Sequence, residues 1–220
     1  MNSRVHLLAV AMALLGVCAG CSNGGGPADC YIGDRAAPAE AILINRLPSG
    51  LFVDVAEGGT VGLEQPPQGG KTLFAGLRAR NLGCVLDLDT SLIEEATGKV
   101  AAFEGRPVVL KLAASGYGEP ERPAEIDNYA NLPACPNGNQ RVAQNLYGRT
   151  YRLEITARDR FGKTVTVRRQ VVPQCAEPSR LAQCQCECSA CYVLGDACDP
   201  DGGQPVQPVD AGVCPTRDGG

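Results

Sequence analysis

Residues 151–168 read Tyr151-Arg152-Leu153-Glu154-Ile155-Thr156-Ala157-Arg158-Asp159-Arg160-Phe161-Gly162-Lys163-Thr164-Val165-Thr166-Val167-Arg168. Tyr151, Leu153, Ile155 and Ala157 alternate with polar or charged residues, the period of a strand with one face buried. Asp159 and Gly162 suit the first and last positions of a type I turn, and Gly162 can take the left-handed conformation of a three-residue hairpin loop. Pairing Asp159 with Lys163 sets Ala157 opposite Val165, Thr156 opposite Thr166, Ile155 opposite Val167 and Glu154 opposite Arg168. Apolar then meets apolar and acid meets base. A slip of one residue would place Val165 and Val167 on the arginine face.

The same texture extends upstream. Ala41–Leu47, Leu51–Val55, Thr60–Leu63, Lys71–Arg80, Cys84–Asp89, Val100–Phe103 and Val108–Leu112 are short apolar or alternating runs, most of them closed by Gly or Pro. Short strands of this kind predict a sandwich or a barrel. Ser91–Thr97 suggests a helical turn, and the Pro/Gly/Asn-rich residues 114–148 suggest a long loop. The Y-x-L-x-I-x-A-x-D-x-x-G-x-x-V-x-V pattern of the hairpin resembles the closing hairpin of immunoglobulin-like, fibronectin-type and PKD-type modules. That resemblance implies an all-β fold, an immunoglobulin-like β-sandwich over 36–173, and says nothing of function.

Past this region the composition changes. Cys175, Cys184, Cys186, Cys188, Cys191, Cys198 and Cys214 crowd a stretch poor in aliphatic residues, whereas Cys30, Cys84 and Cys135 are scattered upstream. We expect a disulfide-rich C-terminal extension, with a Cys-rich segment at 174–198 and a flexible tail at 199–220. Seven is odd, so complete pairing requires at least one bridge back to the upstream domain. About 945 connectivities remain open. On an extended chain Cys184, Cys186 and Cys188 would share a face, each reaching a separate partner. Cys184-x-Cys186-x-Cys188-x2-Cys191 also looks like metallothionein spacing, and four thiolates could hold zinc or copper(I). Residues 195–202 with Cys214-Pro215 look like a fragment of a thrombospondin type-3 repeat. That resemblance implies calcium ligands at Asp196, Asp199 and Asp201 and a Cys198–Cys214 bridge, although Gln204-Pro205-Val206-Gln207 stands where more aspartates belong.

The cysteine chemistry depends on compartment, and the N-terminus addresses it. Met1–His6 is cationic, Leu7–Val17 is apolar but too short to span a bilayer, and Cys18-Ala19-Gly20-Cys21 follows. Ala19-Gly20-Cys21 resembles the lipobox of bacterial lipoproteins, with Cys18 where that family prefers Leu or Val. The resemblance implies a signal peptide at 1–20, lipid on the Cys21 sulfur and a lipidated tether at 21–35. Cleavage there leaves ten further cysteines, an even number, whereas lipid on Cys18 would leave eleven and an orphan thiol. Ser22 looks like an outer-membrane sorting residue. We expect a lipid-anchored envelope protein, meeting the membrane through its anchor. Oxidation in the exported compartment favours disulfides over thiolate metal sites.

Composition narrows the function. His6, the one histidine, departs with the leader, which removes Ser-His-Asp and Cys-His catalysis and imidazole metal sites. There is no tryptophan. Loss of Arg4 leaves 19 basic against 24 acidic residues, which gives no case for nucleic acid. Asp87 and Asp89 would share a strand face, read as a solvated one. Gly69-Gly70-Lys71-Thr72 resembles the end of a phosphate-binding loop, but Gln65 replaces its first glycine and a strand follows, so it reads as a turn. Arg149, Arg152, Arg158, Arg160, Lys163, Arg168 and Arg169 against Glu154 and Asp159 give the last hairpin a local excess of positive charge. Interspersed charges of this kind usually solvate a strand's wet face, but they could also face an anionic envelope component, such as anionic lipid headgroups or lipopolysaccharide, or an acidic partner such as another envelope protein. We expect no enzyme and no cofactor, but a structural or binding role.

Overall fold

A computed structural model describes residues 30–121, 128–136, 146, 148–189, 192 and 197–198. In order they form β1 (Tyr31–Ile32), β2 (Glu40–Arg46), β3 (Phe52–Asp54), β4 (Gly59–Glu64), β5 (Lys71–Arg80), β6 (Leu82–Gly83), β7 (Val85–Glu94), β8 (Val100–Leu112), β9 (Gly118–Pro120), β10 (Ala130–Cys135), β11 (Tyr151–Asp159) and β12 (Thr164–Cys175). A 3-10 turn at Pro178–Arg180 leads into a short helix, α1 (Leu181–Glu187).

The β11–β12 hairpin has the register its pattern predicts, with Ala157 opposite Val165, Ile155 opposite Val167 and Glu154 opposite Arg168. The Asp159 N–H donates to the Lys163 carbonyl at 2.9 Å, and Gly162 sits at φ 84°.

The architecture corrects the sandwich expectation. Seven strands, β5-β4-β12-β11-β7-β8-β9, close on themselves through the β5–β9 pairing of Ala79 with Gly118, making a barrel. All the ring pairings are antiparallel except β4–β12, which is parallel. Alternating strands satisfy a sandwich and a barrel equally, so closure is decided elsewhere. β5 takes partners along both edges: β2 and β4 on one, β9 and β10 on the other. Gly118 permits the close approach that seals the ring. A Cβ there would lie 3.0 Å from the Leu110 Cβ and drive into the Ile32 side chain.

Other local expectations change as well. The turn expected at 91–97 is strand as far as Glu94, paired with β11 and β8. Val100–Phe103 and Val108–Leu112 are one strand running through Pro107. The supposed loop at 114–148 supplies β9 and β10, with Tyr129, Ala130 and Leu132 fully buried. Proline explains the misreading. Val109 donates its N–H to the Asn128 side chain, away from β7, and Pro107 shares that phase. In β10, Asn131 donates its N–H to the Glu104 carboxylate rather than to β5, and Pro133 shares that phase. Each proline therefore lacks its N–H where no ladder bond is made.

The barrel interior is aliphatic, centred on Leu43, Leu73, Leu77, Leu86, Leu153 and Ile155. A second cluster of Ile44, Phe52, Phe74 and Tyr129 covers the outer face of β5, so that strand is buried on both sides.

The two ends differ. At one, here the clip end, the β1–β6 pair and Cys30–Cys84 bind the first residues to the start of β7. The Asp159 carboxylate there accepts N–H bonds from Gly83, Phe161 and Lys163, each at 2.9 Å. At the other, the plugged end, β4, β10 and β12 terminate and α1 is held across by Cys175–Cys184 and Cys135–Cys188.

Candidate functional site

The cysteines show how the ends are built. Four bridges lie among the described residues: Cys30–Cys84, Cys135–Cys188, Cys175–Cys184 and Cys186–Cys198. Cys184, Cys186 and Cys188 do reach three separate partners, but from a helix and its C-cap rather than an extended chain. Residues two apart on a helix point to nearly opposite sides. Cys198 pairs with Cys186, which corrects the Cys198–Cys214 bridge implied by the thrombospondin resemblance. Of the four thiols weighed for zinc, Cys184, Cys186 and Cys188 are in disulfides, so these three are not thiolates. Cys191, Cys214, Asp196, Asp199, Asp201, the 199–220 tail and the lipidation candidate Cys21 lie outside the described residues.

Beneath the plug is a buried ionic cluster that sequence reading missed. Lys71 opens β5 in phase with Leu73 and Ala75, so its side chain lies on the interior face and is fully buried. Its Nζ donates to the Gln65 side chain at 2.8 Å and lies 3.4 Å from Glu187 of α1. On the opposite face of the sheet, Arg46 meets Glu64 at 2.8 Å and lies over the Phe74 and Tyr129 rings. Burial pushes the Glu64 carboxyl above its ordinary 4.5; Arg46 pulls it down and Glu177 pushes it up. The Gly69-Gly70-Lys71 sequence is indeed a turn entering a strand. Its lysine serves the plug, and the signal that could have shown this is its phase on a strand otherwise apolar on that face.

The arginine excess of the last hairpin is diluted by its neighbours. Arg158 stands opposite Asp87 of β7, Arg168 meets Glu154 at 2.6 Å, and Arg152 meets Glu95 at 3.3 Å and Glu154 at 3.6 Å. Asp87 and Asp89 are exposed on this outer face, in keeping with a solvated strand face.

A different cationic cluster forms at the clip end. Tyr31 and Phe161 rings lie 5.8 Å apart, with the Arg35 guanidinium 4.8 Å from both centroids. Arg160 lies 4.7 Å from the Phe161 centroid, and Lys163 Nζ lies 5.7 Å from that of Tyr31. Lys163 also donates to the Ala37 carbonyl at 2.8 Å and the Asn81 carbonyl at 3.2 Å. Phe161 is 42 % exposed, and Leu112, at the same end of β8, is 68 % exposed. The one sequence cue was an aromatic at the tip of a tight turn, flanked by Arg160 and Gly162.

No helix among the described residues is long and apolar enough to cross a membrane. No protein-family model, curated protein or solved structure matches the chain.

Proposed function

We propose that this chain is a lipid-anchored envelope protein with a non-catalytic structural or binding role. The observation that carries the reading is the set of four disulfides in a body headed by a lipobox-like leader. Such bonds persist in oxidising compartments and are rare where thiols are kept reduced. A mature chain starting at Cys21 would hold no histidine, which supports a role other than acid–base or nucleophilic catalysis. Several acyl chains on one cysteine hold far more firmly than one, which binds only marginally. The Ser22 residue favours the outer membrane as destination.

Mass spectrometry of the N-terminal peptide from a membrane fraction tests this. The expected result is a chain beginning at an acylated Cys21. An uncut leader, or an unmodified Cys21, overturns it.

A further inference from the structure

We infer that the clip end of the barrel is a membrane-facing surface that rests on anionic phospholipid headgroups. The inference builds on the anchor reading and adds an orientation and a ligand chemistry to it. The described residues begin at Cys30, which is bridged to Cys84 at this end. Nine Cα steps separate it from Cys21, a reach of at most about 30 Å when extended. β8 alone has 13 residues, roughly 40 Å of strand. An anchor at Cys21 therefore keeps the clip end near the bilayer and leaves the plugged end the farther one.

The residues found there match that position. Phe161 and Leu112 are exposed apolar side chains at one end of the barrel. Arg35, Arg160 and Lys163 surround the Tyr31–Phe161 pair. The acids close by are largely engaged: Asp159 is buried with its carboxylate on three backbone N–H groups, and exposed Asp34 accepts the Ala36 N–H. Lys111 beside Leu112 is ion-paired with Glu121. Aromatic rings set among cations favour the headgroup level, where an apolar body and a wet, negatively charged layer meet. By contrast, the broad β7–β11–β12 outer face alternates its charges.

The absence of tryptophan gives a clean probe. Phe161→Trp, and separately Leu112→Trp at the same end, are placed in the lipidated protein and reconstituted into vesicles containing brominated phosphatidylglycerol. Phe103→Trp, near the plugged-end start of β8, is the control. The expected result is blue-shifted, quenched emission at 161 and 112, and unshifted, unquenched emission at 103. Equal quenching at all three sites, or none at 161 and 112 with Cys21 acylated, overturns the surface and leaves the anchor standing. If mass spectrometry of the same preparation finds no acyl group, the anchor reading fails. The surface is then judged by sedimentation with phosphatidylglycerol vesicles. Binding that exceeds that to phosphatidylcholine and is lost in the Arg35→Glu/Arg160→Glu variant supports it; binding indifferent to both overturns it.

Discussion

Asn45 is a small residue with a large structural duty. Its Nδ2 donates to the Phe74 carbonyl at 2.8 Å and its Oδ1 accepts the Gly62 N–H at 3.0 Å, with the side chain only 2 % exposed. It stands where β5 changes partner from β2 to β4, a fork at which ladder bonds cannot continue. Asn45→Ala would strand two buried backbone groups at about 1–3 kcal/mol each. We expect a loss of about 2–6 kcal/mol in denaturant unfolding; a change near zero would show that the fork relaxes. Glu64 offers a pH test nearby. Its carboxyl titrates at 4.5 ordinarily and higher in the fold, because burial disfavours the charge. Between those two values the folded state binds more protons than the unfolded one, so stability falls as pH rises through that window. The cost is absent below 4.5 and complete above the folded value. Glu64→Gln keeps an acceptor for Arg46 and removes the titration. The stability difference, variant minus wild type, should therefore grow as pH climbs from 4.5 and then level off. A pH-independent difference would refute this.

Among the elements, α1 shows how a helix too short to be stable alone is held in place. Its seven residues carry Cys184, with Cys188 as C-cap, and present Glu187 to Lys71. Removing one partner of a buried ion pair leaves an uncompensated charge, whereas replacing both with apolar groups is often neutral. Glu187→Ala should therefore cost about 3–5 kcal/mol, and Lys71→Met/Glu187→Leu much less. Thermal melts of the three proteins check this; a double variant as weak as the single one would mean that Lys71 is held chiefly by Gln65. The plug also shows what was legible in advance. Strand phase is a local property, and the β11–β12 register could be read directly from residues 151–168. The ion pair of Lys71 could not be read, because its acidic partner Glu187 lies on α1, far along the chain. β10 was hidden because Asn131 and Pro133 interrupt the buried pattern carried by Ala130, Leu132, Ala134 and Cys135. Ring closure rests on one paired position, Gly118 with Ala79, and a lone glycine in a loop-like stretch gives no sign of it. The clip-end rim likewise combines residue 35 with residues 160–163, a pairing that no local pattern shows.

On the scale of the whole molecule, the disulfides divide the work of holding two ends. Cys30–Cys84 and Cys135–Cys188 span 54 and 53 residues, whereas Cys175–Cys184 spans 9. In the chain-entropy account, long loops of this size contribute about 4 kcal/mol and the short one about 3 kcal/mol. The contrast in what each bridge joins is larger than that difference. Cys135–Cys188 ties β10 to the plug, Cys175–Cys184 merely tightens the turn between β12 and α1, and Cys30–Cys84 holds the entering chain at the clip end. Replacing Cys135 and Cys188 together by Ala should lower stability and loosen the plug, so amide exchange rises in α1 and β10 while β7, β8 and β11 stay protected. Replacing Cys30 and Cys84 should instead raise exchange in β1 and β6 and leave α1 protected. The barrel wall itself, joined by ladder bonds around its ring, should remain cooperative in both. Hydrogen exchange with mass spectrometry distinguishes the two patterns. Uniform deprotection of the whole sheet by either replacement would show that the bridges hold the barrel closed rather than securing its two ends.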